Sequence, residues 1–169
     1  MKVAFVVPKY DCQQSPLSQF SQCRVLPPLG LARMAGIAGK RAAISIVDER
    51  IETPQHKRLV DISIIFINSY NSHRANTIAK QYRNFGSIVV LTGPILTHAP
   101  QDAHEHADSL FIGAGEECLP YFFVDHSRNR IKRFYHSRTS QTKAPDIKSL
   151  FSNNFMLESS HSSYSFDNF

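Results

Sequence analysis

Through roughly the first 125 residues, short and nearly continuous apolar runs alternate with helical patterns, and this alternation restricts the fold more than any other feature of the chain. The runs are Lys2 to Val7, Ala43 to Asp48, Ile62 to Asn68, Ile88 to Leu91 and Ser109 to Ile112. A run without polar alternation reads as a strand buried on both faces, and such strands joined through helices build a parallel sheet. The intervening segments each carry one apolar stripe at i, i+3, i+4, i+7: Leu31, Met34, Ala35 and Ala38; Ala75, Ile78, Ala79 and Tyr82; Leu119, Phe122, Phe123 and His126. Pro28 stands near one first turn, Gly39 and Gly86 just past last turns, and Pro100 opens a short helix toward Ala107. The expectation is an α/β, doubly wound, five-stranded parallel sheet with helices on both faces, occupying residues 1–128.

Beyond Ser127 the pattern changes. Arg130 to Ser137 alternates weakly, so residues 129–138 are expected to add a strand. Residues 139–169 are rich in Ser and Asn, and their apolar members (Leu150, Phe151, Phe155, Met156, Leu157) are too few for a second core, so this segment reads as a linker or docking tail. A chain of 169 residues with 42% hydrophobic and 20% charged residues suits one domain with a real core.

No stretch approaches the roughly 18 consecutive apolar residues of a membrane span, and the opening Lys2–Val7 run is too short for a signal-peptide core. A cytoplasmic location is expected. Cys12, Cys23 and Cys118 are odd in number and widely spaced, which signals neither a disulfide framework nor a zinc ribbon. The net charge of +5 is moderate. Arg128, Arg130, Lys132, Arg133, Arg138 and Lys143 nevertheless lie between Asp125 and Asp146 with no acid among them. This stretch reads as a solvated basic face; an acidic partner is compatible with it and nucleic acid is not expected.

In an open doubly wound sheet, ligands bind at the carboxyl ends of the strands, where loops converge and helix N-termini direct their N–H groups outward. Four loops meet that description: Lys9 to Pro27, Asn68 to Asn71, Thr92 to Thr97, and Gly113 to Glu117. Gly93, Gly113 and Gly115 lack a Cβ, which lets a flat ligand or a phosphate approach the backbone, or simply makes tight turns. No Gly-x-x-x-x-Gly-Lys-Ser/Thr occurs, and the Gly-x-Gly-x-x-Gly fingerprint is missing after the first strand, which argues against a phosphate-loop nucleotidase and a dinucleotide enzyme.

An ordered set of short pieces remains: Pro27-Pro28-Leu29-Gly30-Leu31-Ala32, Ile46-Val47-Asp48, Val60-Asp61-Ile62 leading to Asn68-Ser69, Val89-Val90-Leu91-Thr92-Gly93-Pro94 with Thr97, Ala107-Asp108, and Ile112-Gly113-Ala114-Gly115-Glu116. Together they resemble the amino-terminal cobalamin-binding domain of cobalamin-dependent radical SAM enzymes, over roughly residues 1 to 128. Pro145-Asp146 is similar to the linker that follows that domain. The resemblance implies a flavodoxin-like (Rossmann-like) sheet that grips a corrin and its nucleotide tail. It implies cofactor contacts at Ser69, Tyr70, Thr92, Gly93, Pro94, Thr97, Gly113, Gly115 and Glu116.

The chain departs from that family in three places, and it also lacks a motif of other cobalamin proteins whose histidine radical SAM relatives commonly lack too. It has no Cys-x-x-x-Cys-x-x-Cys motif, so no iron–sulfur cluster and no radical chemistry are expected of it alone. Of the Asp-x-His-x-x-Gly motif of methionine-synthase-like cobalamin proteins it keeps only Asp11. The usual Gly-Gly is Thr92-Gly93, where the threonine side chain is expected to obstruct the nucleotide tail, and the usual Glu between the later glycines is Ala114.

Other chemistry-bearing residues carry weaker signals. His98, His104 and His106, with Asp102, Glu105 and Asp108, are dense in metal-ligand types, yet His104 and His106 are rotated by roughly 200° on a helix and do not converge on one ion. Cys118 falls in a first helical turn, where a thiol pKa is lowered, or is a small buried hydrophobe beside Leu119. Glu116 and Glu117 complement a helix dipole, Glu116 being the better candidate for a ligand contact. Ser69 and Thr97 can cap helices or bond a ligand.

Two readings follow. One is a cobalamin carrier that presents the corrinoid to a partner enzyme of the radical SAM type. The other is a degenerate domain that has lost the cofactor and serves as a structural or interaction subunit. An enzyme acting in the same crevice is disfavoured by the lack of a paired acid and base.

Overall fold

The computed structural model describes residues 1–11, 29–53, 59–98 and 103–138. Within them lie β1 (Lys2–Val7), α1 (Leu29–Ala38), β2 (Ala43–Asp48), β3 (Ile62–Phe66), α2 (Ser72–Asn84), β4 (Ile88–Thr92), α3 (Ile95–His98), a 3-10 turn (His104–His106), β5 (Ser109–Ile112), α4 (Gly115–Ser127) and β6 (Phe134–His136). The sheet order is β2-β1-β3-β4-β5-β6 and every pairing is parallel. The first five strands follow the flavodoxin order, so the fold is α/β, doubly wound and Rossmann-like.

Strand geometry sends alternate side chains to opposite layers. Val3, Phe5 and Val7 of β1 join Leu31, Met34, Ala35, Phe111, Leu119 and Phe122 beneath α1 and α4. Ala4 and Val6 join Ile65, Ala75, Ile78, Ala79, Leu91 and Leu96 beneath α2 and α3. Both layers exclude water, which is why the central strands read as unbroken apolar runs. Phe5, Phe111 and Phe122 are fully buried, each contributing about 2 kcal/mol of hydrophobic stabilisation. β2 departs from the expectation of two covered faces. It pairs only with β1 and is partly exposed through Ile44–Val47, because an edge strand has a neighbour on one side alone.

The stripes on α1 and α2 are the buried residues of those helices. On α4 the buried set is Gly115, Cys118, Leu119, Phe122 and Phe123, while His126 lies half-buried with its ring 6.1 Å from Phe122. β3 stops at Phe66 rather than Asn68. There the Asn68 N–H donates to Asn71 Oδ1 (2.7 Å) and Asn68 Oδ1 accepts the Tyr70 N–H (2.8 Å), bonds that compete with the sheet ladder. β4 runs one residue further than expected, to Thr92. Of the helix expected from Pro100 to Ala107, the described part is the 3-10 turn at His104–His106.

The expected added strand is β6, which extends the sheet to six strands. The Leu110 N–H donates to the Arg133 carbonyl (2.8 Å) and the Ser137 N–H to the Ile112 carbonyl (3.0 Å). Tyr135 packs edge-on against Phe111 and Phe122, donates its hydroxyl to Asp125 (3.1 Å) and accepts the Lys132 N–H (3.0 Å). No helix among the described residues is long and apolar enough to cross a membrane. The Pro27-Pro28 helix start, Cys12, Cys23, and the linker or tail at 139–169 lie outside the described residues.

Candidate functional site

The carboxyl edge of the sheet is built where β1, β3, β4 and β5 end side by side. The β3 and β4 ends are tied together, since the Ile67 N–H donates to the Thr92 carbonyl (2.8 Å). Immediately beyond, Gly93 adopts φ 149°, and a Cβ there would fall onto the Ile67 carbonyl oxygen. No other residue fits that approach. Gly93 therefore serves the contact between two loops of the protein itself, the tight-turn role that its missing Cβ allows.

Gly115 is needed for a similar reason. It is buried at the start of α4, and a Cβ would lie 2.6 Å from Met34 Sδ and 2.8 Å from Thr92 Oγ1. This places the Thr92 side chain in the layer beneath α1 and α4, where it is 3% exposed. The side chain is thus directed into the packing between the end of β4 and the start of α4. At Gly113, with φ 86°, the space of a Cβ is taken by the Ser137 hydroxyl from the end of β6. The three glycines sit at the edge as expected, but each gap is filled from within.

Asp11 bridges the place where the chain turns from β1 to either side of the sheet. Its N–H donates to the Tyr70 carbonyl (2.7 Å), and its carboxylate accepts the N–H groups of His73 (3.1 Å) and Arg74 (3.2 Å) in the first turn of α2. A carboxylate at that position satisfies orphan donors and complements the dipole. Asn71, the residue before α2, makes no side-chain cap; it is buried, with Nδ2 donating to the Phe66 carbonyl (3.3 Å). The Tyr10 and Tyr70 rings meet edge-on at 6.4 Å and 77°.

Beside this bridge, the Glu49 side chain is 3% exposed and receives a bidentate bond from the guanidinium of Arg74, with Nε at 2.9 Å. It also accepts the Lys9 N–H (3.2 Å). Hydrogen bonding to Glu49 outweighs desolvation and raises the Arg74 pKa above its ordinary value. Arg50 binds Asp48 through Nε (2.9 Å) and Nη2 (2.7 Å). Sequence reasoning missed this group. Its signal was present, because Asp48 closes β2 and Glu49-Arg50 follow it directly, which puts all three on the same carboxyl edge.

Ser69 and Thr97 are exposed, and among the described residues neither hydroxyl has a hydrogen-bond partner. The helix-capping role open to them is not the one realised. Asp11 caps α2, and Thr97 lies within α3 rather than before it. Tyr70 (39% exposed) and Pro94 share this open edge.

Glu116 instead turns to α1, accepting a bond from Arg33 Nη1 (3.3 Å), and Glu117 accepts the Arg138 N–H (3.0 Å). Cys118 is the buried small residue of its helix. Burial, then the charges of Glu117 and Glu116, push its thiol up to about 12, which opposes the dipole effect and removes it as a nucleophile. Among the described residues no group of three His, Cys, Asp or Glu side chains is arranged to hold a metal ion.

No protein-family profile matches the chain. Similar curated proteins include the bacteriochlorophyllide d C-8(2)-methyltransferase of Chlorobaculum tepidum, 26% identical over 111 residues that cover 65% of this chain and 25% of that protein. An uncharacterized methyltransferase of Synechocystis sp. is 28% identical over 101 residues, covering 58% of this chain and 19% of its own length. The chain thus matches about a quarter or less of these relatives.

Proposed function

We propose that the chain is a corrinoid-binding module that presents cobalamin to a partner enzyme of the radical SAM type. The observation that carries this reading is the pair of exposed hydroxyls at the carboxyl edge, Ser69 in the loop before α2, which Asp11 caps in its place, and Thr97 within α3, neither bonded among the described residues. A donor or acceptor left open on a crevice loop is available to a ligand. The flavodoxin strand order supports the same reading, since it brings these loops together at one crevice.

The residues that would hold the cofactor are Ser69, Tyr70, Pro94 and Thr97, with Gly93 shaping the loop. Gly115, Thr92 and Glu116 act behind them, in packing and in the α1–α4 contact. A bound corrinoid would supply a transferable methyl group, in keeping with the methyltransferase names of the two relatives. Their much greater length suits a module that provides one part of such an enzyme.

A second reading, a domain that keeps the fold without the cofactor, is favoured by the filled glycine gaps: each glycine has a sufficient reason to exist in the packing of the protein itself. Incubation with hydroxocobalamin, desalting and a visible spectrum separate the two. Stoichiometric corrin absorbance is the expected result. A colourless protein whose melting temperature does not respond to cobalamin overturns the carrier reading and leaves the second.

A further inference from the structure

β6 ends the sheet opposite β2, and its outer edge has no strand beside it among the described residues. In a parallel ladder each residue directs its N–H and C=O to one side, alternating along the strand. The Arg133 carbonyl and the Ser137 N–H face β5, so Phe134 and His136 direct theirs outward. Their side chains are exposed as well, Phe134 at 41%, with the two rings 6.5 Å apart. Between this edge and α4 runs a shallow groove lined by Tyr121, Val124, Asp125, Lys132, Phe134 and Arg138. Tyr121 is 52% exposed and carries the Arg138 guanidinium 5.6 Å above its ring.

The charges around this groove sum to positive: Asp125 and Glu117 are matched by Lys132 and Arg138, and Arg128 and Arg130 remain in excess. Asp125 is committed to the Tyr135 hydroxyl and to Lys132 Nζ (3.5 Å), and Glu117 to the Arg138 N–H. Arg128 and Arg130 are exposed at the turn leading into β6. An apolar floor, a row of outward main-chain groups and a basic rim make a site for a strand whose side chains include carboxylates.

We propose that the groove between α4 and β6 receives an extended, acidic segment of a partner protein, which adds as a strand to the edge of β6. The outward N–H and C=O groups of Phe134 and His136 pair with the backbone of that segment. Its apolar side chains on the α4 face cover Tyr121 and Val124, and its carboxylates meet Arg128, Arg130 and Arg138. A nucleic acid would match the charge but has no backbone that continues a β ladder. The inference does not depend on corrinoid binding, because the groove lies at β6 and α4 rather than at the loop of Ser69 and the helix of Thr97.

The test uses the full chain and a short fluorescein-labelled peptide alternating glutamate and valine, followed by fluorescence anisotropy. Saturable binding is expected, weakening at least about tenfold as salt rises from ~50 to ~500 mM. The same peptide with lysine for glutamate should not bind. His136→Pro removes only an outward N–H, a substitution an edge strand accepts, and should weaken binding about tenfold or more with the melting temperature kept. Arg130→Glu and Phe134→Glu, both at exposed positions, should do the same and decide the matter if His136→Pro fails to fold. Tighter binding of oligothymidylate than of the peptide, a self-associated dimer that ignores the peptide, or peptide binding untouched by these variants would each overturn the proposal. A normal cobalamin spectrum in the variants separates this outcome from failure of the carrier reading.

Discussion

The carboxylate of Asp11 accepts the backbone N–H of Arg74 at 3.2 Å, so the segment that leaves β1 is clipped onto the first turn of α2. With the His73 N–H at 3.1 Å, this side chain does from a distance of 62 residues what a local cap does in other helices. Asp11→Ala should cost about 1 kcal/mol in urea unfolding, as loss of a cap does. Asp11→Asn should cost less. An unchanged midpoint for Asp11→Ala would show that the clip is not a stabilising contact.

Arg74 also reaches back to the buried carboxylate of Glu49. Because the Arg74 side chain keeps 27% exposure, the pair is partly screened and its loss is milder than in a dry interior. Arg74→Met should destabilise the domain by about 2 kcal/mol by leaving Glu49 without its bidentate partner. Adding Glu49→Gln should recover part of that, and a double-mutant cycle measures the coupling. Strict additivity would argue against a direct pair.

Gly93 and Gly115 should be intolerant of even a methyl group, for different reasons. Gly93→Ala meets the Ile67 carbonyl at φ 149°, with an expected cost of about 2 kcal/mol or more. Gly115→Ala meets Met34 and Thr92, whose side chains can shift, so it should cost less. Combining Gly115→Ala with Thr92→Ser should do little to relieve the clash, whereas Met34→Ala should relieve it in part. Thermal melts of the cobalamin-free protein read these effects without reference to any ligand.

The thiol of Cys118 should be chemically silent in the folded protein. In a background with Cys12 and Cys23 replaced by serine, iodoacetamide at mildly alkaline pH is expected to label Cys118 only on addition of denaturant. Its folded pKa of about 12 lies above the ordinary 9.0, so above pH 9 the unfolded chain releases a proton that the native state retains. Its contribution to stability is complete below pH 9 and falls from there toward pH 12. Cys118→Ala should flatten that alkaline loss, and an identical slope in both proteins would contradict the assignment.

Ser69→Ala and Thr97→Val touch no described hydrogen bond, so each should leave the melting temperature within about 0.5 kcal/mol of the parent in stability terms. If the edge holds a corrinoid, both should weaken its retention on desalting, and the double variant more than either. Loss of stability without loss of corrin absorbance would return these residues to a structural role.

How much of this was legible in the sequence depends on the range of the interaction. The five apolar runs and the stripes on α1 and α2 are local periodicities, imposed by layers that bury both faces, and they recur in the structure nearly residue for residue. The end of β3 was missed by two residues because Asn68 and Asn71 bond side chain to backbone there, an effect that apolar patterning does not register. The site residues were legible as positions, since the ends of parallel strands must share one edge. Their roles were not. Thr92 is buried because β4 continues one residue further and strand alternation turns its side chain toward Gly115, a direction that apolar patterning does not register.

From sequence alone, the order of elements, the parallel sheet and the clustering of four loops at one end follow from periodicity and from the chain's need to bury its apolar runs. Only the tertiary structure decided which groups satisfy one another across that end. Asp11 caps a helix 62 residues away, Glu49 holds Arg74, and Ser137 fills the space above Gly113. Such pairings arise when strand ends distant in sequence become neighbours, and a one-dimensional pattern records neither their distance nor their direction.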